Sequence, residues 1–468
     1  MKFLSLVALA ATAAANALPA GVPNSVEQFR KKHPYHPPAP PTLPGSGCGA
    51  PQPYPPGAPG GPGGNGSTPG LPERHIVTLR ASANDTDDIS AAFEAGIRAA
   101  NNGGTLYLPA GQTFVIGQPL DLTFLNDVQV HLDGEIKFTN DTAYWQKVAF
   151  RHPFQNSIMF WQWGGNNIKI YGKGVLNGNG QRWWNEFSGL EILDPANAYL
   201  RPILFYAQNA TDLAIEGIHF KDSPCWTNFV VTSSGISYKD LVVTAESNNA
   251  TALPKNTDFF DSLNIKHLTV ERAWVNIGDD CFSPKSNATD VHVNTMYCNG
   301  THGQSMGSIG QYAGEKSIIE DVVIEDVWLL NGQHGARLKS WAGPNVGYGY
   351  INNINATTCA AYPSQVNVTN VSFENFSGTT SGKYGRAVAK LTCSSNPNAV
   401  CENITFKNFT VTSPCGNSTT TNKAVIICDN IKGGLGTDCV PSNSTEAIAA
   451  LADKCTAPMA TLPQPTPW

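Results

Sequence analysis

Two aspartates stand side by side in Gly278-Asp279-Asp280-Cys281, and a third, Asp258, precedes them in Asn256-Thr257-Asp258. His302 follows in Thr301-His302-Gly303, as far beyond Asp280 as Asp280 is beyond Asp258. Arg337 and Lys339 come later, in alternate positions of "GARLKSW". Carboxylates, an imidazole and two cations are the parts of acid–base chemistry on an acidic substrate. Crowded carboxylates repel, which keeps a proton on at least one of them at mildly acidic pH. A protonated acid gives its proton to a leaving oxygen while an ionised partner activates water, as glycoside hydrolysis requires. The cations suit a sugar carboxylate. Clustered carboxylates also suit a hard cation such as calcium, but His302, Arg337 and Lys339 in the same group disfavour one. We expect no metal and no cofactor.

These residues need a scaffold that brings distant positions together. The chain repeats a short pattern: "NNIKIYGKGVL" at 166, "TDLAIEGIHF" at 211, "KHLTVERAWV" at 266, "TDVHVNTMYC" at 289, "EDVVIEDVWL" at 320, "TNVSFENFSG" at 369 and "ENITFKNFTV" at 402. Each has a polar pair, an alternating apolar run and an Asn/Gly/Asp turn. Leu241, Leu268, Val291 and Val322 begin the apolar runs of one series, at separations of 27, 23 and 31 residues. Such spacing marks a solenoid, since single alternating strands cannot bury a core alone. A β-propeller would need roughly 40 or more residues per repeat. The expected fold is all-β, a right-handed single-stranded parallel β-helix over residues 73–445. On its coils, about 4.8 Å apart, Asp258, Asp279 and Asp280, His302, and then Arg337 and Lys339 share one face. A bend or bulge at the doublet lets both aspartates reach one cleft. An amphipathic helix is expected over Asp88–Ala100.

Composition narrows the setting. Of 468 residues only 14% are charged, and the formal net charge is −6 with no Lys/Arg-rich run, which argues against nucleic acid or an anionic membrane as partner. Residues 1–17 read as a signal peptide: Lys2, an apolar stretch from Phe3 to Ala15, and a small-x-small site ending at Ala17. Eleven cysteines and fifteen Asn-x-Ser/Thr sequons agree with a secreted, extracellular protein. Residues 18–72 read as a flexible leader, since fourteen of the 33 prolines lie between Pro34 and Pro72. Arg30-Lys31-Lys32 there is either a processing site or a solvated basic cluster. Residues 446–468 read as a C-terminal tail. Cys393 with Cys401, and Cys428 with Cys439, each close a short loop and are expected to be bridged. Cys48, Cys225, Cys359, Cys415 and Cys455 are left unassigned by spacing, and Cys359 is expected to be a free thiol.

The blocks Asn256-Thr257-Asp258, Gly278-Asp279-Asp280-Cys281, Thr301-His302-Gly303 and Arg337-Leu338-Lys339 resemble the four signatures of the polygalacturonase family, glycoside hydrolase family 28, in their order. The resemblance covers roughly residues 75 to 440, and "YGKGVLNGNGQRWW" is similar to the family's early coil. It implies metal-free, inverting hydrolysis of pectic α-1,4-galacturonosyl bonds by a monomer. It makes Asp279 the general acid, Asp258 and Asp280 the pair that activates water, and His302 the aid to the acid. Asn256, Arg337 and Lys339 become substrate-binding residues, and Cys281–Cys298 a disulfide behind the acid. "CNGTHGQSMGSIGQY" resembles the exo-acting members, which release galacturonate from the non-reducing end. An exo-acting rhamnogalacturonan galacturonohydrolase is the alternative, and a non-catalytic pectin-binding β-helix is the alternative of another class.

Two departures from the family pattern stand out. Phe259 occupies a position where the family commonly has glycine, and its ring is expected to narrow the subsite. The stretch from Val322 to Ile354 is long enough for a full coil, but that from Ile354 to Val371 is only about half as long. Part of one coil is therefore expected to be missing near residues 354–371.

Overall fold

The second residue of each polar pair turns the chain. Asn167, Asp212, His267, Asp290, Asp321, Asn370 and Asn403 all have φ between 50° and 57°, the left-handed region that Asn and Asp tolerate best among residues with a side chain. Each such corner is followed by an apolar–polar alternation that enters a strand. The computed structural model describes residues 23, 25–32, 74–190, 199–341, 348–350, 366–396, 399–415 and 423–456. We number the strands that build the site β1 (Leu120–Leu132), β2 (Trp161–Gly172), β3 (Phe205–Glu216), β4 (Asn228–Thr244), β5 (Phe260–Asn276), β6 (Asp280–Pro284), β7 (Ala288–Asn299), β8 (Gly303–Ile309), β9 (Ile319–Leu330) and β10 (Ala336–Ser340).

Strands β1, β2, β3, β4, β5, β7 and β9 stack in parallel in that order. Strands β6, β8 and β10 form a second parallel face that joins β5. The fold is the expected parallel β-helix. One apolar row runs through Val128, Ile168, Leu213, Ile236, Leu268 and Val291, all at most 2% exposed. The helix Ser90–Ala100 adds Phe93 and Ile97 to the same core, Phe93 lying against Trp161.

The register corrects one detail of the repeat. Leu268 stacks on Ile236, and Leu241 stacks on Ala273. Lys239-Asp240-Leu241 imitates Lys266-His267-Leu268, because Asp240 and His267 are both left-handed corners at φ 56°, but they are different corners of their coils.

Two segments expected to be loose are docked. Val26–Lys32, inside the leader, forms a helix whose Phe29 lies edge-on to Trp274 and Trp328 at 5.9 and 6.4 Å. These rings offered an apolar seat that proline content could not reveal. In the tail, the helix Thr445–Ala452 buries Ala447 and Ala450, and Cys455 is bonded to Cys415. The three expected disulfides, Cys281–Cys298, Cys393–Cys401 and Cys428–Cys439, are all formed. Cys225 is unbridged among the described residues; Cys48 and Cys359 lie outside them.

The short coil leaves its mark on the register. In the strand Tyr348–Tyr350, Gly349 pairs with Ser317 a full coil before it, but with Val366 after only about half that length of chain. Beyond it, β11 (Val366–Glu374) and β12 (Cys401–Lys407) stack a full coil apart again. Among the described residues β9 pairs with β7 alone. Its apolar residues Val322, Ile324 and Val327 are only partly buried, and Val323 is 53% exposed.

Candidate active site

A bulge follows the doublet. Asp280 pairs with Gly303 but Phe282 pairs with Gln304, so one residue of β6 is extra. Asp279 sits just before the strand, and its backbone carbonyl accepts from the His302 amide at 2.8 Å. The chain can pass so close after His302 because residue 303 is glycine: at φ +92° a Cβ there would lie 2.1 Å from the His334 carbonyl oxygen.

The structure brings together every expected site residue. His302 Nδ1 lies 2.9 Å from Asp279 Oδ1 and 4.0 Å from Asp280 Oδ1. Its Nε2 meets the Gln333 side-chain amide at 2.8 Å. Asp280, with its side chain 1% exposed, is gripped from all sides. Arg337 and Lys339 each pair with one of its oxygens. Ser305 Oγ donates to Oδ1 at 2.7 Å, and Ser283 Oγ to Oδ2 at 3.2 Å. Lys339 is therefore not an unpaired charge waiting for a ligand, as its position on a strand in the cleft would suggest.

Asn256 lies beside the doublet, half-buried. Its amide donates to Asp279 Oδ2 at 3.3 Å, and its oxygen accepts from buried Arg201 at 2.8 Å. Arg201 in turn stacks on Phe187 at 3.8 Å and donates to the Pro224 carbonyl at 2.9 Å. Asn256 thus fixes Asp279. Phe259 does not narrow the cleft; its side chain is fully buried in the core.

The charges are distributed unevenly. Burial and the neighbouring carboxylates Asp261, Asp279 and Asp280 push the Asp258 carboxyl well above its usual range. Burial would also raise Asp279 and Asp280. At Asp279 the His302 hydrogen bond and the His302 and Lys339 charges together outweigh it, so that carboxyl is lowered, and Arg337 and Lys339 together outweigh it at Asp280, which is held well below the usual range. Of the three only Asp258 is raised, because neither a histidine nor a lysine or arginine side chain is in contact with it to offset burial and its neighbours' charge. Asp279, Asp280 and His302 are close enough to share a metal ion, their ligand atoms lying within 4.8 Å of one another. Two side-chain cations already take the oxygens of Asp280.

Several neighbours were not anticipated: Ser283, Ser305, Arg201, and the buried pair Asp261–Lys285, whose Oδ1 and Nζ are 2.6 Å apart. The coil spacing that links Asp258 to Asp280 also links Asp261 to Ser283 and Ser283 to Ser305. That signal was legible in the same ladder.

One side of the site is walled by aromatic residues. Phe229, the register partner of Asp261, packs with Trp226, His152 and Phe154 at ring distances of 5.2, 5.4 and 5.9 Å. Phe154 comes from the segment that precedes β2, and it meets Tyr312, just after β8, at 5.7 Å. The Gln155 amide donates to Tyr312 Oη at 2.7 Å, and the Gln155 side chain to Gln311 at 3.2 Å. Segments far apart along the solenoid axis therefore meet over this side of the cleft.

The parallel β-helix agrees with what known proteins show. The model of the glycosyl hydrolases family 28 matches residues 103–356. The chain belongs to this family. As a family 28 member it is a glycoside hydrolase. It is 57% identical over 396 residues to a protein of Neosartorya fischeri named "Probable exopolygalacturonase B", covering 80% of this chain and 86% of the relative. A relative of the same name from Emericella nidulans is 55% identical over 397 residues, 80% of this chain and 89% of that one. In both, 80% of a 468-residue chain is fewer residues than the aligned length, so these family 28 relatives carry residues that this chain lacks. Among solved structures, the endo-xylogalacturonan hydrolase of Aspergillus tubingensis is similar with a TM-score of 0.68 at 26% identity, covering 78% of this chain and 99% of that one. The exopolygalacturonase of Thermotoga maritima shares the fold at a TM-score of 0.51 and 18% identity, covering 81% and 94%.

Proposed function

We propose that this family 28 enzyme is a secreted exo-polygalacturonase. It hydrolyses α-1,4-galacturonosyl bonds of pectin from the non-reducing end with inversion and releases galacturonate. The observation that carries the reading is the clamp of Arg337 and Lys339 on a buried carboxylate beside the His302–Asp279 pair. It puts acid, base and carboxylate-binding cations in one cleft. The names of the fungal relatives support the exo assignment, and so does the wall of Phe154 and Tyr312, which would leave a chain end, not a through-running chain, room in the cleft. The signal-like residues 1–17 support secretion, and a monomer is the state in which we expect it to act.

Asp279 is the general acid. Its side chain is the more open of the doublet, 12% exposed against 1% for Asp280, so it can reach a glycosidic oxygen. Asp258 and Asp280 take the proton of the attacking water, which adds to the anomeric carbon as the bond to the leaving sugar breaks. A galacturonate carboxylate that draws Arg337 and Lys339 away from Asp280 adds negative charge to the cluster. That raises the carboxyls around it, favours the protonated form of Asp279, and frees Asp280 to accept from water.

The test is incubation with polygalacturonate and with oligogalacturonides, with products separated by anion exchange and their anomeric form followed by NMR. Galacturonate alone, first appearing as the β-anomer, is expected. Mixed oligomers would make the enzyme endo-acting. Release only from a rhamnogalacturonan backbone would favour the rhamnogalacturonan galacturonohydrolase reading, and binding without any product would make the chain a pectin-binding module.

A further inference from the structure

The pair Asp261–Lys285 has no part in the reaction just described, yet it is the most deeply buried ion pair of the site, with side chains 0% and 4% exposed. Taking two charges out of water costs several kcal/mol for each ion, and apolar residues at these positions would pack at no such cost. Asp261 lies on β5 between two inward-facing neighbours, Phe260 of the core and fully buried Ser262, so it faces the cleft side. Its register partner is Ser283.

Lys285 Nζ donates to Ser283 Oγ at 2.6 Å and approaches the Gly307 carbonyl at 3.4 Å. It also lies 5.2 Å from the Trp226 ring centre, over the aromatic wall. With Lys285 filling one lone pair of Ser283, the hydroxyl hydrogen is left to point at Asp280 Oδ2, 3.2 Å away, or at the Gly307 carbonyl, 2.9 Å away. A continuous path therefore runs from Asp261 through Lys285 and Ser283 to Asp280.

We propose that the Asp261–Lys285 pair is a positioning device for hydrolysis: Asp261 seats Lys285, and Lys285 orients Ser283 against Asp280 and supplies charge that keeps the Asp280 carboxylate ionised. This rests on the roles proposed above for Asp258 and Asp280. Lys285 is faced by Asp258, Asp261 and Asp280, and by Lys339 from β10. The Cys225 thiol lies on the Asp261 side and is pushed up to about 11 by burial, so it stays neutral. Burial raises the Asp261 carboxyl to about 7 even with Lys285 in contact. Attraction from Asp261, Asp258 and Asp280 outweighs burial at Lys285, whose ammonium is held up. The pair thus transmits its charge to the acid cluster instead of being cancelled locally.

The two ends of the pair differ in effect, which separates this role from packing. Without the Lys285 charge, Asp258 and Asp280 bind protons more readily. In K285M the acidic limb of the kcat/KM profile should move up by about one pH unit, a shift typical of losing one nearby opposite charge. Activity at pH 5 should fall roughly tenfold or more, with KM for trigalacturonate changed less than about threefold. In D261N the acidic limb should move little, because a carboxyl raised to about 7 is already neutral there. K285R should restore most of the wild-type profile. The double variant D261N/K285M leaves no unpaired buried charge, should fold, and should keep the limb of K285M.

Thermal stability against pH reads the same pair without activity. K285M raises the folded-state carboxyls, so its stability is lost at lower pH on the alkaline side and its optimum moves toward acid. D261N removes a carboxyl already raised in the folded state and should move the optimum the other way. A K285M limb that stays put, or stability optima that stay put or move in one direction for both variants, would overturn the proposal and leave the pair a packing element. If the wild type cleaves no galacturonan, the function reading fails, while the stability optima still decide the charge role of the pair.

Discussion

The stack from β1 to β7 and the coil of β9 carry the same sequence pattern but differ in what covers them. Val291 is 1% exposed between Leu268 and Val322, whereas Val322 itself is only partly buried. Val293 is fully buried, and its partner Ile324 is not. An apolar face contributes in proportion to the area it removes from water, so alternation stabilises a coil only when another lies on each side. The chemistry is divided across the same line. Asp258, Asp279 and Asp280 sit on covered coils. Arg337 and Lys339 sit on β10, which among the described residues pairs with β8 alone. The acids have a rigid seat, and the cations lie at the margin of the intact stack.

Substituting the acid on the covered side should have the largest effect. Asp279→Asn keeps the shape and the Asn256 contact but cannot donate an acidic proton. We expect turnover on oligogalacturonides to fall by about 10²–10⁴-fold, the usual size of general acid catalysis, with an unchanged circular dichroism spectrum. Near-normal turnover in a folded variant would take the acid role from Asp279.

Paired truncations compare the two regions directly. Leu268→Ala should cost about 2–5 kcal/mol of unfolding free energy, as for other buried leucines. Val322→Ala, at the same row position two coils further on, should cost below about 1 kcal/mol, since little burial is lost. Denaturant melts measure both. Inserting at residues 354–371 the residues that the fungal relatives carry and this chain lacks should raise stability and make Val322→Ala more costly. Equal costs for the two truncations before any insertion would show that β9 is as well covered as β5.

A loss confined to one substrate contact is expected at the margin. Lys339→Ala removes one charge-assisted contact to a substrate carboxylate, about 1.5–3 kcal/mol, or roughly ten- to hundredfold in KM. The loss should be confined to free-acid chains. An equal loss on methyl-esterified chains would show that Lys339 acts through Asp280 alone. Because Lys339 helps to hold Asp280 below its usual range, its removal raises that carboxyl, and the acidic limb of kcat/KM should move to higher pH.

Much of this was set by local sequence. The polar pair before each apolar run encodes a left-handed corner and then an alternating strand, so the coil length and the parallel stack follow from short-range sterics and burial. Near-equal spacings then put Asp258, Asp279, Asp280 and His302 on one face, since each coil returns the chain to the same place. Tertiary structure decided what depends on contacts between non-equivalent positions. The match of Leu241 to Ala273 instead of Leu268 was hidden because two corners share one local pattern. The docking of Phe29 between Trp274 and Trp328 depends on rings more than half the chain away. The raising of Asp258, with Asp280 locked by Arg337 and Lys339, could not be read from residue types, because the sign of a carboxyl's shift depends on burial and on which charge is in contact.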